Sequence, residues 1–541
     1  MLKVTLKKSI LLFMITAAFA AVIFCACGNG ETAYVASDGP VAKAYTADEN
    51  DNLKETELVR GTEVAAFSKK TAGPDGEDLV AIQVGEESYY INSDLLKEER
   101  GETVLESDVF VRTPVTIYAG KKGSEIAGFA PKNAKLEVAG FDRIQKDGTV
   151  NKYKIKFDDV EGYVYSKYLA ASKKAAAKVC NDKGAYDMAK DSRFPYELYG
   201  GKATHLDYFP YERTDIKNNE FCTDARAMYL HAGAVMDDKY FKLAEKSGVN
   251  AVVINIDGGT LAYRSPVAKE LSPTAYKKAG HSLEKYQKAV KKYEDAGFYT
   301  IGRIVCFSDR NYAKDHPEEC IKLGGKTTSW VSAYSRNAWH YKVALAQEAV
   351  KLMGFNEIQF DYVRFPEEAY EMSVSKANFR NKFDEEKAQA IQNFCFYAAD
   401  QIHEAGAYFS VDVFGESSNG YVPAYGQYWP AISNIVDAIS AMPYTDHYGD
   451  SDTWSKPYKT IYNWAKQTSR MQKHLPTPAL PRTWITGYDT PHWNPTVDYD
   501  YKKLRRQVDA LENAGLDGGF IPWNSACSYY KYKEYSKIWA K

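Results

Sequence analysis

Neither sign of charge dominates this chain. Lys and Arg number 69 against 71 Asp and Glu in 541 residues, so there is no overall basic field to hold a nucleic acid, and no nucleic acid partner is expected. Cysteine is scarce, with 8 residues, none paired as CxxC or set at ligand spacing from a histidine. A structural zinc module is thereby excluded and no metal is expected. No GxGxxG string follows any apolar strand-like run, which argues against a doubly wound nucleotide fold, and no cofactor is expected. What the chain does have is aromatic surface. Its 42 Tyr and 9 Trp offer flat faces with hydrogen-bonding edges, of the kind on which sugars stack. A 45% apolar and 26% charged composition is globular, and the length suits roughly three domains or one large barrel carrying smaller modules.

The first segment reads as an address. Lys3, Lys7 and Lys8 precede an apolar run, Ile10 to Phe24, too short and too near the terminus for an ordinary spanning helix. The run closes on Phe24-Cys25-Ala26-Cys27-Gly28, which resembles a bacterial lipoprotein cleavage box. Residues 1–26 are therefore expected to be a signal peptide and Cys27 the lipidated residue, tying the protein to the outer face of the cell membrane. Without lipidation the protein would be secreted. Cys306, in a strand-like run, and Cys395, on an apolar helix face, are expected to be buried thiols.

Residues 27–56 are polar and poor in large aliphatics, as a tether would be. Two stretches of short alternating strands with Gly and Asp turns follow, at 57–100 and 104–170, and predict two small β-barrels. The second ends in Gly162-Tyr163-Val164-Tyr165-Ser166-Lys167-Tyr168-Leu169 and resembles a bacterial SH3 domain; the first is a weaker match. The resemblance implies attachment to cell wall or help in binding peptidoglycan, beside the plainer alternative of a spacer. Residues 171–220 read as a linker with some helix.

From 221 to 541 the period changes. Apolar stripes at Leu283, Tyr286, Val290 and Tyr293, at Ile391, Phe394, Cys395, Ala398 and Ile402, and at Leu504, Val508 and Leu511 mark helices buried on one face. Gly248, Gly297, Gly354, Gly406 and Gly515 each stand between a helix and a strand, as left-handed caps do. Units of roughly 45 residues fit a (β/α)8 barrel of the TIM type with generous loops. The expected strands are 226–230, 251–256, 298–306, 357–362, 408–414, 436–442, 483–488 and 518–523.

A barrel of this kind carries its site at the C-terminal strand ends. There the chain places Asn255 and Asp257, then Asp309, then Asp361 with Arg364, then Asp412 and Glu416, then Tyr444, Asp446 and His447, and finally Trp523 and Asn524. One strand-end carboxylate is more often a helix cap or an arginine's partner. Several converging carboxylates with Tyr, Trp and His beside them are what glycosidic cleavage needs: one acid to protonate the leaving oxygen, a second to stabilise or attack the anomeric carbon.

At these residues the chain resembles a family of bacterial putative glycoside hydrolase domains, (β/α)8 barrels related to the amylase-like hydrolases. The string from Gly354 to Pro366, GFNEIQFDYVRFP, carries most of the likeness. Asn250 to Ile254, Arg303 to Val305, Asp412 to Gly415, His447-Tyr448 and Trp523-Asn524 support it. The family usually has Asp then Lys where Asn255 and Asp257 stand, Asp-Pro at Ser332-Ala333, and Gln-Asp near Thr486-Gly487. The resemblance implies a reaction type, glycosidic hydrolysis. Together with the lipidated leader it gives the leading expectation, a surface-anchored glycoside hydrolase acting on cell-wall or extracellular polysaccharide, peptidoglycan included. Asp361 would be nucleophile or charge stabiliser, held ionised by Arg364, and Asp412 or Glu416 the acid/base. Arg364, Asp257, Asp309, Tyr444, His447, Trp523 and Asn524 would bind substrate. The alternative is a wall-binding lipoprotein whose barrel holds glycan without cutting it; a metal-dependent deacetylase is weaker, because Asp and His do not cluster at ligand spacing.

Overall fold

A computed structural model of the chain describes residues 30–37, 41–48, 50–103, 108–145, 149–177, 195–448, 451–490 and 496–540. The leader and Cys27 lie outside the described residues. The described residues form two compact units, one within residues 30–122 and 127–177, the other within residues 123–126 and 195–540.

The first unit holds two copies of one seven-stranded antiparallel design. The strands of the first are Glu31–Val35, Val41–Ala47, Leu53–Val59, Glu63–Ala72, Asp78–Val84, Glu87–Asn92 and Leu96–Lys97. Those of the second are Asp108–Val111, Val115–Tyr118, Ile126–Ala130, Lys135–Phe141, Lys152–Phe157, Val160–Tyr165 and Leu169–Ala170. In both sheets the order across the sheet is third, second, sixth, fifth, fourth, first, seventh. Each copy ends in a strand, a 3-10 turn (Ser93–Leu95, Ser166–Tyr168) and a short last strand that pairs with the first. Gly162 of the closing motif has a steric reason: a Cβ there would stand 2.4 Å from the Tyr118 carbonyl oxygen.

Here the structure differs from the expected tether over 27–56. Residues 31–59 supply the first three strands of the first copy, and Ala33, Val35, Ala42, Ala44 and Leu58 enter its core. These strands escape a composition-based reading because each core residue is small or flanked by Lys, Glu and Thr, as in Leu53-Lys54-Glu55-Thr56-Glu57-Leu58-Val59.

The second unit is a parallel barrel. Its strands are β1 (Ala225–Leu230), β2 (Ala251–Asp257), β3 (Tyr299–Val305), β4 (Glu357–Asp361), β5 (Tyr408–Phe414), β6 (Ala438–Met442), β7 (Leu480–Pro481, resuming as Thr483–Thr486) and β8 (Gly519–Trp523). The sheet order runs from Leu480–Pro481 through β6 to β1, then β8, and ends at Thr483–Thr486. Only Arg482 separates the two ends in sequence, so the ring closes through β7. The helices between are α1 (Asp238–Ser247), α2 (Leu283–Asp295), α3 (Arg336–Met353), α4 (Lys387–Glu404), α5 (Trp429–Ser433), α6 (Pro457–Gln472), α7 (Tyr501–Ala514) and α8 (Tyr529–Glu534). Strands covered on both faces read as near-continuous apolar runs, and β2 and β3 are buried at every position. All five expected cap glycines have positive φ, between 71° and 93°. Of the expected linker, residues 202–219 are part of this unit: Lys202 N–H donates to Glu386 at 2.9 Å, and Arg213 donates to the Ser433 carbonyl at 3.2 Å. Cys306 and Cys395 are buried free thiols.

One charged cluster closes the N-terminal end of the barrel. Glu357, at the start of β4, receives Arg482 Nη1 at 2.7 and 2.9 Å, the Tyr299 hydroxyl at 2.9 Å and the Ser410 hydroxyl at 2.5 Å. Both charges are fully buried, and Arg482 also donates to the Cys222 carbonyl at 2.8 Å. Conserving charge balance inside such a network is what makes it tolerable.

Candidate active site

At the opposite end, where the strands finish, a cavity of about 230 Å³ opens. Arg303, Asp361, Tyr362, Arg364, Glu367, Phe414, Met442, Tyr444, His447, Trp484, Tyr488 and Trp523 line it. The alternation of β4 turns Asp361 inward, and the next residue, Tyr362, turns the backbone through the left-handed region at φ 53°. A non-glycine residue held there costs free energy that the surroundings must offset, and such residues cluster at functional sites. The turn also lets Tyr362 N–H donate to the Asp361 carboxylate at 2.6 Å.

Arg303 is the hub. It rises from β3 beneath the cavity and pairs with the Asp361 carboxylate through Nη2. Its Nε lies 3.6 Å from the Asp412 carboxylate, and its Nη1 donates to Asn255 Oδ1 at 2.8 Å. Asn255 in turn donates to the Tyr229 hydroxyl at 2.8 Å. A carboxylate at 255, as in the resembling family, would compete for the same guanidinium; the neutral amide leaves the charge to Asp361. Asp412 is wholly buried, with the Trp484 indole donating to one oxygen at 2.7 Å and the other without a hydrogen-bond partner among the described residues. Burial, reinforced by the neighbouring charge of Asp361, pushes the Asp412 carboxyl well above the usual carboxylate range.

The expected residues thus fall into groups. Asp361, Arg364, Tyr444, His447 and Trp523 are brought together around the cavity. Asp412 stands behind it, screened by Arg303 and Trp484. Glu416 is exposed beyond it and receives the hydroxyls of Tyr421 and Tyr425. Asp257 and Asp309 are buried on Lys342 of α3, whose Nζ donates at 2.9 and 2.6 Å. Asn524 exchanges hydrogen bonds with Ser528, at 3.1 and 3.0 Å, at the start of α8.

Arg364 does not hold Asp361; Arg303 does. The Arg364 guanidinium packs against Phe414, Tyr362 and Trp330, with ring centroids 4.5, 4.9 and 5.1 Å away, and pairs with Glu367 at 3.0 Å. Desolvation there lowers its pKa from the ordinary arginine value. Arg303 and Glu367 are the two charged cavity residues that sequence patterning did not single out. An arginine in the middle of an otherwise apolar strand was the available signal for the first.

Aromatic rings form the rest of the wall. Trp523 meets Tyr229 at 4.8 Å and Trp484 at 5.3 Å, and Tyr444 meets His447 at 5.3 Å and Tyr488 at 5.9 Å, mostly edge to face. Among the described residues, one grouping could offer three metal ligands, His316, Glu318 and Glu319. Glu319 is already engaged by Tyr312, Ser335 and Asn337.

A closed parallel barrel with acids, arginines and aromatic rings at its C-terminal mouth has the TIM-type (β/α)8 architecture, in which sites lie at the strand ends. Residues 227–529 match the family described as "Putative glycosyl hydrolase domain", and the chain belongs to that family. Among solved structures, a hypothetical protein from Ruminiclostridium thermocellum is similar at 30% identity over 34% of this chain and 97% of its own, with a TM-score of 0.29. The glycoside hydrolase domain of PgaB (BpsB) from Bordetella bronchiseptica matches 59% of this chain and 99% of its own at 11% identity and a TM-score of 0.42. The endo-1,4-beta-D-mannanase of Thermotoga petrophila matches 56% and 88% at 11% identity and 0.39. No curated protein matches the chain.

Proposed function

We propose that the barrel hydrolyses glycosidic bonds in cell-wall or extracellular polysaccharide, with Asp361 as the carboxylate that faces the anomeric carbon. The observation that carries this is the pairing of Asp361 with Arg303 at the floor of an aromatic-walled cavity. An oxocarbenium-like transition state needs a carboxyl group facing C1, and Asp361 is the one on the cavity floor. Trp523, Tyr444 and Tyr488 supply rings against which sugar faces can pack. Asp412, whose pKa burial raises, backs Arg303 and Trp484 from behind.

The test is release of reducing sugar from isolated bacterial wall and from a panel of soluble glycans, comparing wild type with Asp361→Asn. The variant keeps the shape and loses the charge, so turnover should fall about 10³-fold, or roughly 4 kcal/mol at about 1.4 kcal/mol per decade, while glycan binding changes far less. Binding without cleavage by the wild type would support the glycan-binding alternative instead. The lysine-led apolar run ending at Cys27 supports placement on the outer face of the membrane through a lipid. Cys27→Ala should then move the protein to the medium; retention in the membrane fraction would refute the anchor.

A further inference from the structure

Glycosidic cleavage needs a second carboxyl group that reaches the leaving oxygen, and the structure limits which residue that can be. Of the residues lining the cavity, Asp361 and Glu367 are the two carboxylates. Asp412 has no exposed side-chain surface, and Glu416 is outside the lining with both oxygens taken by tyrosine hydroxyls. Glu367, by contrast, is 64% exposed at the rim.

We infer that Glu367 is the proton donor to the leaving oxygen, working from the rim of the cavity that Asp361 also lines. The inference rests on the hydrolase reading above and deepens it.

Three features place this side chain. After the left-handed residue Tyr362, both Arg364 and Glu367 line the cavity, while Val363 and Phe365 are buried. Phe365 N–H donates to the Tyr425 carbonyl at 2.9 Å, and Arg364 Nη1 donates to the Phe365 carbonyl at 3.1 Å, which fixes the loop just before Pro366. Arg364, confined among Phe414, Tyr362 and Trp330, then holds one Glu367 oxygen at 3.0 Å. The other Glu367 oxygen has no hydrogen-bond partner among the described residues. That oxygen is the one free to meet a bound glycan.

In the step itself the Glu367 proton passes to the glycosidic oxygen as the C1–O bond breaks and its electron pair stays on the departing sugar. Positive charge at C1 is met by the Asp361 carboxylate. Water then gives hydroxide to C1, and its remaining proton returns a carboxylate to the acid form, so atoms and charge balance.

The experiment uses the full chain and the wall glycan, with 2,4-dinitrophenyl and phenyl glycosides of the sugar that the wild type releases. A dinitrophenolate leaves without help and a phenolate does not. Glu367→Gln should lose about 10²- to 10³-fold in kcat/KM on the wall glycan and the phenyl glycoside but less than about 10-fold on the dinitrophenyl glycoside. The alkaline limb of its kcat/KM profile should also flatten. Equal loss on both aryl glycosides with the alkaline limb intact would make Glu367 a structural partner of Arg364 and overturn the inference alone, provided Asp361→Asn is still inactive. Release of no sugar by the wild type would overturn the hydrolase reading and this inference with it.

Discussion

One guanidinium facing two carboxylates carries charge enough for one of them. Arg303 pairs closely with Asp361 and stands 3.6 Å from Asp412, and Asp412 has a raised pKa because it is desolvated beside the Asp361 charge. A raised folded-state pKa means the native protein holds a proton that the unfolded chain, titrating at roughly 4, has released. Wild type therefore loses stability from this group as pH rises from roughly 4 towards the folded value. Asp412→Asn keeps a carbonyl for the Trp484 indole and has no proton to lose. Its stability relative to wild type should improve by up to about 1.4 kcal/mol per pH unit over that window. Urea unfolding at pH 5 and pH 7 measures this. Tryptophan emission reports the barrel alone, since all 9 Trp lie at or beyond residue 330. A difference that stays constant between the two pH values would show Asp412 ionised throughout.

Among the elements, β7 has the most unusual interruption, because Arg482 enters the barrel floor between its two halves to meet Glu357 on β4. Removing one partner of a fully buried pair leaves the other charge uncompensated, at a cost of about 3–5 kcal/mol. Arg482→Met should therefore lower the unfolding midpoint sharply, and adding Glu357→Gln should recover part of the loss. Additive losses in calorimetry would mean the two charges are not coupled. The strands themselves were legible because barrel strands are apolar runs closed off by cap glycines. Seven of the expected segments overlap the observed ones to within a residue or two, while β7 begins earlier, at Leu480. Asp361 was legible from its strand-end position and its motif. Arg303 was not, since its role depends on Asp361 and Asp412, distant in sequence, arriving on neighbouring strands. Residues 31–59 were not legible either, because strands in a small sheet need few large aliphatics when other strands supply them.

At the scale of the whole molecule, the two N-terminal copies share a strand order but not a surface. Where the second has Tyr165, Lys167 and Tyr168, the equivalent closing turn of the first has Asn92, Asp94 and Leu95. In the second copy Tyr165 meets Tyr118 at 5.6 Å and Tyr168 at 6.5 Å, with Lys152 Nζ 4.4 Å and Lys167 Nζ 5.4 Å from its ring centroid. Tyr118, Tyr168 and Lys152 are buried beneath, so the half-buried Tyr165 and exposed Lys167 are what the second copy presents. An aromatic ring beside an ammonium suits a wall polymer that joins sugar rings to acidic peptide stems, whereas an acidic turn at Asp94 would repel those stems. Wall affinity, if these modules supply it, should then reside mainly in the second copy and be separable from cleavage. Tyr165→Ala with Lys167→Ala in the full chain should weaken pelleting with isolated wall about tenfold, close to 1.4 kcal/mol, while turnover of a soluble glycan is unchanged. Asp94→Ala should leave pelleting the same or stronger. Wall binding that survives the double substitution intact would make the second copy a spacer and leave attachment to the barrel and the lipid.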